Sequence, residues 1–423
     1  MKKMYLLLFI CSVLMYSCNT ENKTTTKTTV LKGKVIDREY SKSLHLIKKN
    51  GDYRIDYINV PIINGEFNYT IKSDVTEQYQ MAFEDELAKG AWMKVSFFND
   101  ADTIKFALHP RDNYKSNVVK GGDLNEKVIS FRDKTSFLFF DEAELLYPKI
   151  DSLDKIKQWN SKEATEIYTR LSKEKDRVKQ KIIYANLEKL IKAKKDLTPQ
   201  GRKIKNQIDR IIKNYEDWKI DLIKTDKTLF GYSMLMDELY SNTYEPNFDV
   251  TVIEKQLKAY QFKFKNHPYT ATSTNMINGI KNAKVGGFYK DISAYTEEGK
   301  LISLSETISK NKLTLIDLWA PWCGPCIAKD KLLKPEYSKL KEKGFGVFAV
   351  LGAIKERKQY IETKEKYNYP WKLNYELNQE FKIWEKYNIS RSGGGQFLVN
   401  SKGKILAVDP YPKVIDSLLN IIP

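Results

Sequence analysis

Two cysteines separated by two residues carry the clearest chemistry in this chain, in the stretch Trp322-Cys323-Gly324-Pro325-Cys326. Just upstream, Leu313–Trp319 is a nearly continuous apolar run, the pattern of a buried parallel strand. The residues after the pair read as a helix. A thiolate is the nucleophile in thiol–disulfide exchange, and a helix N-terminus offers it unpaired N–H groups and positive potential. This placement predicts Cys323 as the exposed attacker of lowered pKa. Cys326, one turn in, is expected to be more shielded and to resolve the mixed disulfide. Two intervening residues let the sulfurs bridge. Gly324-Pro325 lets the turn close and starts the helix without a wasted N–H. Asp317 interrupts the apolar strand. A buried carboxyl tends to hold its proton, and beneath a dithiol it can accept the proton of Cys326. Three plainer readings stand beside this one. A CxxC can be half a zinc site, but zinc wants four ligands, the other cysteines are Cys11 and Cys18, and residues 281–423 hold no His. The pair could also be a static structural disulfide, or belong to a working fold that has lost its substrate. Asp317, for its part, could be a carboxyl satisfied by backbone bonds at the strand edge.

The elements that must position these residues lie in 281–423, where strand and helix alternate. Leu301–Leu304 follows a Glu297-Glu298-Gly299 turn, and Phe345–Leu351 is a second buried strand. Lys355–Tyr367 and Gln379–Tyr387 read as helices. Gln396–Val399 and Ile405–Val408 flank a turn, and Val414–Ile422 closes as a helix. That order predicts an α/β sheet with an antiparallel edge. Residues 126–280 are helical in pattern. Ile167 to Ile191 and Ile204 to Leu222 give two amphipathic stripes joined at Thr198-Pro199, expected to face a core. Residues 30–125 are β-rich, with alternation at Val30–Ile36, strands at Thr103–Leu108 and Ser116–Lys120, and a hairpin turn at Asn64-Gly65. A small sandwich or barrel is expected there. The whole reads as a multidomain α+β protein. His45, His109 and His267 are scattered over the first two regions and read as structural or surface residues.

The N-terminus sets the compartment. Lys2 and Lys3 precede an apolar run, Met4 to Met15, followed by Tyr16-Ser17-Cys18. This is the pattern of an export signal, residues 1–17, too short for a spanning helix. Residues 18–29 are polar and aperiodic after Cys18 and read as a disordered tether. The 423 residues hold 71 Lys plus Arg against 54 Asp plus Glu, a formal charge of +17. The export signal argues against nucleic acid. Solvated lysine-rich helix faces explain the charge, with attraction to anionic lipid as the other reading.

Asp317-Leu318-Trp319-Ala320-Pro321-Trp322-Cys323-Gly324-Pro325-Cys326 resembles the active-site stretch of thioredoxins. With the signal, the Leu301–Leu304 hairpin and the insertion around Lys355–Glu376, the chain resembles the TlpA/ResA-like membrane-anchored thiol–disulfide oxidoreductases. Leu14-Met15-Tyr16-Ser17-Cys18 resembles a lipobox, which implies lipid on Cys18 and an outer-membrane anchor with the body in the periplasm. Residues 30–125 resemble the β-rich domain of unknown function found in such lipoproteins, and Phe262–Pro268 a stretch that precedes their thioredoxin domain. The resemblance implies a thioredoxin-like fold in 281–423 and a redox-active Cys323–Cys326 disulfide with no other cofactor. It also implies protein disulfide substrates, apocytochrome c among the candidates, and a membrane electron donor. Trp322 carries over as the aromatic shield beside the nucleophile. Two positions depart from the family. Its cis-proline opposite the cysteines falls at Gly393 or Gly394. A non-proline cis bond costs ~3 kcal/mol, so a trans or mobile loop is expected, which touches substrate docking. Lys331 stands where the family's helix kinks at a proline. Two functions follow: a tethered oxidoreductase, with Gly-Pro leaning towards reduction, or a partner-binding lipoprotein with a weak or vestigial redox domain. A peroxidase fits poorly, because Ala320 and Ile316 hold the Thr and Pro positions of the PxxxTxxC pattern.

Overall fold

The computed structural model describes residues 26–49, 51–242, 250–390 and 392–422. The export signal, Cys18 and most of the tether lie outside the described residues. The tether reading runs three residues too far: the first strand begins at Lys27, pairing Lys27 with Ser73 and so on down to Lys34 with Glu66.

Eight strands build the N-terminal region: β1 (Lys27–Val35), β2 (Ser43–Lys48), β3 (Ile58–Pro61), β4 (Glu66–Ser73), β5 (Gln78–Phe83), β6 (Val95–Phe98), β7 (Thr103–Leu108) and β8 (Val118–Lys120). They form two four-stranded sheets, ordered β4-β1-β7-β8 and β3-β2-β5-β6. Alternate residues of both sheets, including Leu31, Phe67 and Phe106 from one and Leu44, Met81 and Phe97 from the other, share one core. This is the sandwich form of the expectation; the described residues contain no closed barrel. The Asn64-Gly65 turn forms, with positive φ at both residues and Ile63 bridged to Glu66. Its two arms then part, because β3 pairs with β2 while β4 pairs with β1. The turn chemistry was legible; the sheet each arm joins depends on distant partners.

The helical region follows. The helices Arg177–Lys192 and Pro199–Thr225 both form, with the Thr198 side chain accepting the Gly201 N–H as the N-cap. They do not pack as the expected hairpin: Arg177–Lys192 pairs with the helix Lys162–Lys173, and Ile204, Ile208, Ile211, Tyr215 and Trp218 pack against Phe139, Ala143 and Leu146. The first stripe is broken: Lys162–Lys173 is a separate helix. Ile182 and Ile191 are exposed rather than core-facing. His267 caps the helix Pro268–Asn282, accepting the Tyr269 N–H at Nδ1. His45 stacks on Tyr57 at 3.9 Å. Both serve structure.

The C-terminal region is one seven-stranded sheet: β9 (Ser293–Tyr295), β10 (Leu301–Ser303), β11 (Leu313–Trp319), β12 (Phe345–Ile354), β13 (Leu373–Leu377), β14 (Gly394–Asn400) and β15 (Ile405–Val408). Their order is β10-β9-β13-β12-β11-β14-β15. β11, β12 and β13 are parallel, and β14 runs antiparallel to β11. Every residue of central β11 is buried, between apolar clusters on the two faces of the sheet. The helix after the cysteines runs Gly324–Leu333, breaks at Lys334–Glu336, where Pro335 stands, and resumes at Tyr337–Glu342. The helix thus runs unbroken through Lys331, as a residue other than proline allows, and its proline interruption sits one turn later, because a proline cannot donate the helical N–H. Only Ile383–Lys386 of the expected helix Gln379–Tyr387 forms.

The helical region meets this domain through Pro268–Asn282. A Cβ on Gly279 would stand 2.7 Å from the Glu385 carbonyl oxygen, so only glycine permits the approach. Asn275 Nδ2 donates to Glu385 Oε2 at 3.2 Å beside it.

Candidate active site at the CGPC turn

β11 ends at Trp319 and the chain turns through Ala320-Pro321-Trp322 into the helix Gly324–Leu333. Cys323 is the N-cap of that helix, and the Cys326 backbone N–H donates to its Sγ at 3.3 Å. Pro325 lies in the first turn, where its missing N–H costs nothing. Cys323 and Cys326 are joined in a disulfide, with Cα atoms 5.3 Å apart. Gly324 has open space where a side chain would go, so its small size is not a packing requirement there.

The expected contrast in exposure is absent. Cys323 is 6% exposed and Cys326 7%. The reason is Gly393, whose Cβ position lies 2.8 Å from Cys323 Cβ and from the Trp322 ring. What distinguishes the sulfurs is the helix end: Sγ of Cys323 receives its N–H, and that asymmetry favours Cys323 as the thiolate.

The glycine loop is in trans; the described residues contain no cis peptide bond. Gly393 accepts the Ala320 N–H at 2.7 Å, and Gly394 pairs with Trp319. A Cβ on Gly394 would meet the Leu318 carbonyl oxygen at 2.1 Å and Cys326 Sγ at 3.0 Å. The loop thus lies against both cysteines, as the family pattern requires, without the proline. Ser392 Oγ donates to the Gly394 carbonyl at 2.8 Å and steadies it.

Asp317 is wholly buried on β11. Its partner is a side chain, not the backbone at a strand edge: Gln396, opposite it on β14, donates from Nε2 to Asp317 Oδ1 at 3.1 Å. The same amide donates to Oδ1 of Asp330 at 2.9 Å. Asp330 is also wholly buried, one helical turn beyond Cys326. Burial pushes both well above the ordinary carboxylate range, and for Asp330 the neighbouring Asp317 carboxyl adds to the rise. The sign for stability follows. Raised carboxyls contribute stability that is complete below the unfolded value, about pH 4, and lost as the pH rises through the folded values. Asp317→Asn is expected to raise Tm by a few °C near pH 8 and to change it little near pH 4, measured by thermal unfolding of the oxidised protein.

The N-terminal sandwich reaches this site. In the β2–β3 connection, Asp52 holds Arg54 through Oδ1 to Nε at 2.8 Å and Oδ2 to Nη2 at 2.6 Å. The Arg54 guanidinium sits 3.4 Å from the centre of the Trp322 ring. Gln379 Nε2 donates to Asp56 Oδ2 at 3.0 Å alongside. Trp322 remains 41% exposed at the other edge.

The structure brings Cys323, Cys326, Trp322, Gly393 and Gly394 together and places Asp317 on the strand that leads into them. Sequence reasoning missed Asp330, Gln396 and Arg54. Asp330 sits between Lys329 and Lys331 and reads as surface charge; its i, i+4 spacing from Cys326 was the available signal. Gln396 was marked only by its place in a strand opposite Asp317. Nothing local marks Arg54.

Residues 285–408 match the AhpC/TSA family model. A thioredoxin of Mycoplasma genitalium is 46% identical over 44 residues, 10% of this chain and 39% of that protein. A thioredoxin of Mycoplasma pneumoniae is 43% identical over the same length, again 10% and 39%. The chain thus spans about 39% of the length of the curated relatives it matches. A thiol:disulfide interchange protein from Bacteroides sp. aligns at 22% identity with a TM-score of 0.30, over 33% of this chain and 91% of that one. The thioredoxin domain of a thiol-disulfide oxidoreductase from Bacteroides vulgatus aligns at 22% identity with a TM-score of 0.29, over 33% and 98%. The stretch matched by the AhpC/TSA model, residues 285–408, spans the parallel β11–β13 core, the antiparallel β14 and the disulfide at the helix N-terminus, a thioredoxin-like arrangement.

Proposed function

We propose that the protein is a membrane-tethered periplasmic reductase of protein disulfides. The observation that carries the redox reading is the Cys323–Cys326 disulfide at the N-terminus of a helix, with the buried carboxyl of Asp317 on the strand that leads into it. In the reduced state Cys323, deprotonated to solvent, attacks one sulfur of a substrate disulfide. A mixed disulfide forms, and the first substrate thiolate leaves and takes a proton from water. Cys326 gives its proton to the buried carboxyl and attacks the Cys323 sulfur. The Cys323–Cys326 bond forms, and the second substrate thiolate leaves and is protonated. Two electrons pass from the dithiol to the substrate.

The reductase direction rests on the Gly324-Pro325 dipeptide. The periplasm is oxidising, so repeated turnover draws electrons from a membrane donor. The export signal and Cys18 support lipid anchoring, with the outer membrane as the site and the body facing the periplasm. Periplasmic disulfide proteins, apocytochrome c among them, are the substrate class; nucleic acid is not a partner in this reading. The family match does not revive the peroxidase reading, since Ala320 and Ile316 still hold the Thr and Pro positions.

Insulin reduction tests the proposal. The dithiol-reduced protein is expected to turn insulin over, and Cys323→Ser to fall to background. No turnover from fully reduced protein would favour a binding lipoprotein.

A further inference from the structure

We propose that Asp317 and Asp330 form a single proton-holding unit bridged by Gln396, in which Asp330 is the positioning residue that sets the basicity of Asp317 for the resolving step at Cys326. The inference rests on the dithiol-exchange reading and deepens it.

The geometry begins with a shared donor. One amide nitrogen, Gln396 Nε2, supplies Oδ1 of both carboxyls, at 3.1 Å to Asp317 and 2.9 Å to Asp330. Oδ2 of each is buried and receives no other donor. Ionised carboxylates only accept hydrogen bonds. Two buried carboxylates side by side, both charged and each with an empty oxygen, are a costly arrangement. One proton held between them removes one charge and gives each unpartnered oxygen something to bond. Like-charge pairs of this kind titrate as a unit.

The surroundings supply little compensating charge. From the helix, Lys329 faces the pair, but its Nζ is bound to Asp409 Oδ1 at 2.6 Å. Asp409, following β15, adds further negative potential. Across the site the buried Tyr369 hydroxyl faces Asp330, with Tyr367 beside it. Cys323 and Cys326 are the remaining ionisable groups, and in the disulfide neither titrates.

The placement relative to the sulfurs gives the unit its role. Cys326 and Asp330 are i and i+4 on one helix, about 5–6 Å apart at their Cβ atoms. On the facing strand, Gly394 lies against Cys326 Sγ, and Gln396, two residues on, holds the pair. The unit therefore sits directly behind the resolving cysteine. Before resolution it carries one proton and one charge. It accepts the proton of Cys326 as that sulfur attacks, becomes neutral, and gives the proton to the departing substrate thiolate. While Asp317 is ionised the shared proton sits with Asp330, so Asp330 acts as a neutral donor beside it and sets how readily Asp317 takes up the proton of Cys326.

The test is carboxyl 13C titration of aspartate-labelled full-length protein in the disulfide form, paired with the pH profile of insulin reduction. Two aspartate carbons are expected to move together, in two steps, both above the ordinary carboxylate range. In Asp330→Asn one step remains, between the two of the wild type, and the acid limb of turnover moves up with it while maximal turnover falls several-fold. Gln396→Leu keeps both carboxyls, and its first ionisation is expected to move up. It also keeps the question open to test if Asp330→Asn does not fold. Separate titration of the two carbons in the ordinary range would overturn the proposal, as would an unmoved Asp317 and acid limb in Asp330→Asn. Loss of wild-type insulin turnover with the coupled titration intact would instead overturn the oxidoreductase reading and leave the carboxyl unit standing.

Discussion

Cys326→Ser is expected to stall on its substrate, with a mixed disulfide on Cys323 that accumulates in living cells and survives denaturation. Turnover of insulin should fall by at least about 10³-fold, the scale on which loss of a reacting group acts. The reason is positional. Cys323 caps the helix and receives the Cys326 N–H, so it can attack with serine at 326. A serine hydroxyl cannot form the second S–S bond that expels the substrate. Non-reducing gels followed by mass spectrometry would identify the trapped protein. A trap that stays empty in cells, while the same variant still attacks a small disulfide reagent, would point to a domain that binds without exchanging.

Gly394→Ala should show the largest effect outside the sulfurs. Gly394 has φ +154°, and its Cβ would lie 2.1 Å from the Leu318 carbonyl oxygen and 2.7 Å from Trp319 Cα. These are backbone atoms of the central strand, so no rotamer change relieves the clash. The expected loss is about 2–4 kcal/mol, read as a drop in Tm of roughly 5–15 °C. The Cβ also lies 3.0 Å from Cys326 Sγ, so turnover should fall at least about tenfold even where the protein stays folded. Gly395→Ala is the control. Its nearest neighbour is Ile389 Cγ2 at 3.1 Å, a side-chain methyl that can shift. Equal effects at 394 and 395 would show that the loop's general flexibility matters rather than its close approach to the dithiol.

The two positions show what the chain's letters could reveal. Cys323, Cys326 and Asp317 were legible because their chemistry and their element, a strand entering a helix, are local in sequence. The three-glycine loop was also legible as a departure, but its consequence was not. That the loop runs trans and presses on both sulfurs depends on the pairing of Trp319 with Gly394, 75 positions apart in the chain. Asp330 failed for the opposite reason. Its two lysine neighbours suggested a solvated face, whereas the helix turns it inward onto Gln396. In the N-terminal region, alternation identified Thr103–Leu108 as a strand to the residue. Alternation says which faces are apolar and not which strand lies beside which, so the parting of β3 and β4 into separate sheets was not visible. The stacking of Arg54 on Trp322 joins residues more than 260 positions apart, and no pattern at either end announces it.

The central claim is that the sulfur at the helix N-terminus ionises readily while its partner does not. The most direct measurement is the pH dependence of iodoacetamide alkylation of the reduced full-length protein, with modified Cys323 and Cys326 separated by peptide mass spectrometry. Alkylation of Cys323 should titrate below the value of about 8.5 typical of free cysteine, with Cys326 reacting far more slowly across the range. Contradiction would come from Cys323 titrating at or above that value, or from both cysteines remaining unreactive in the folded, reduced protein.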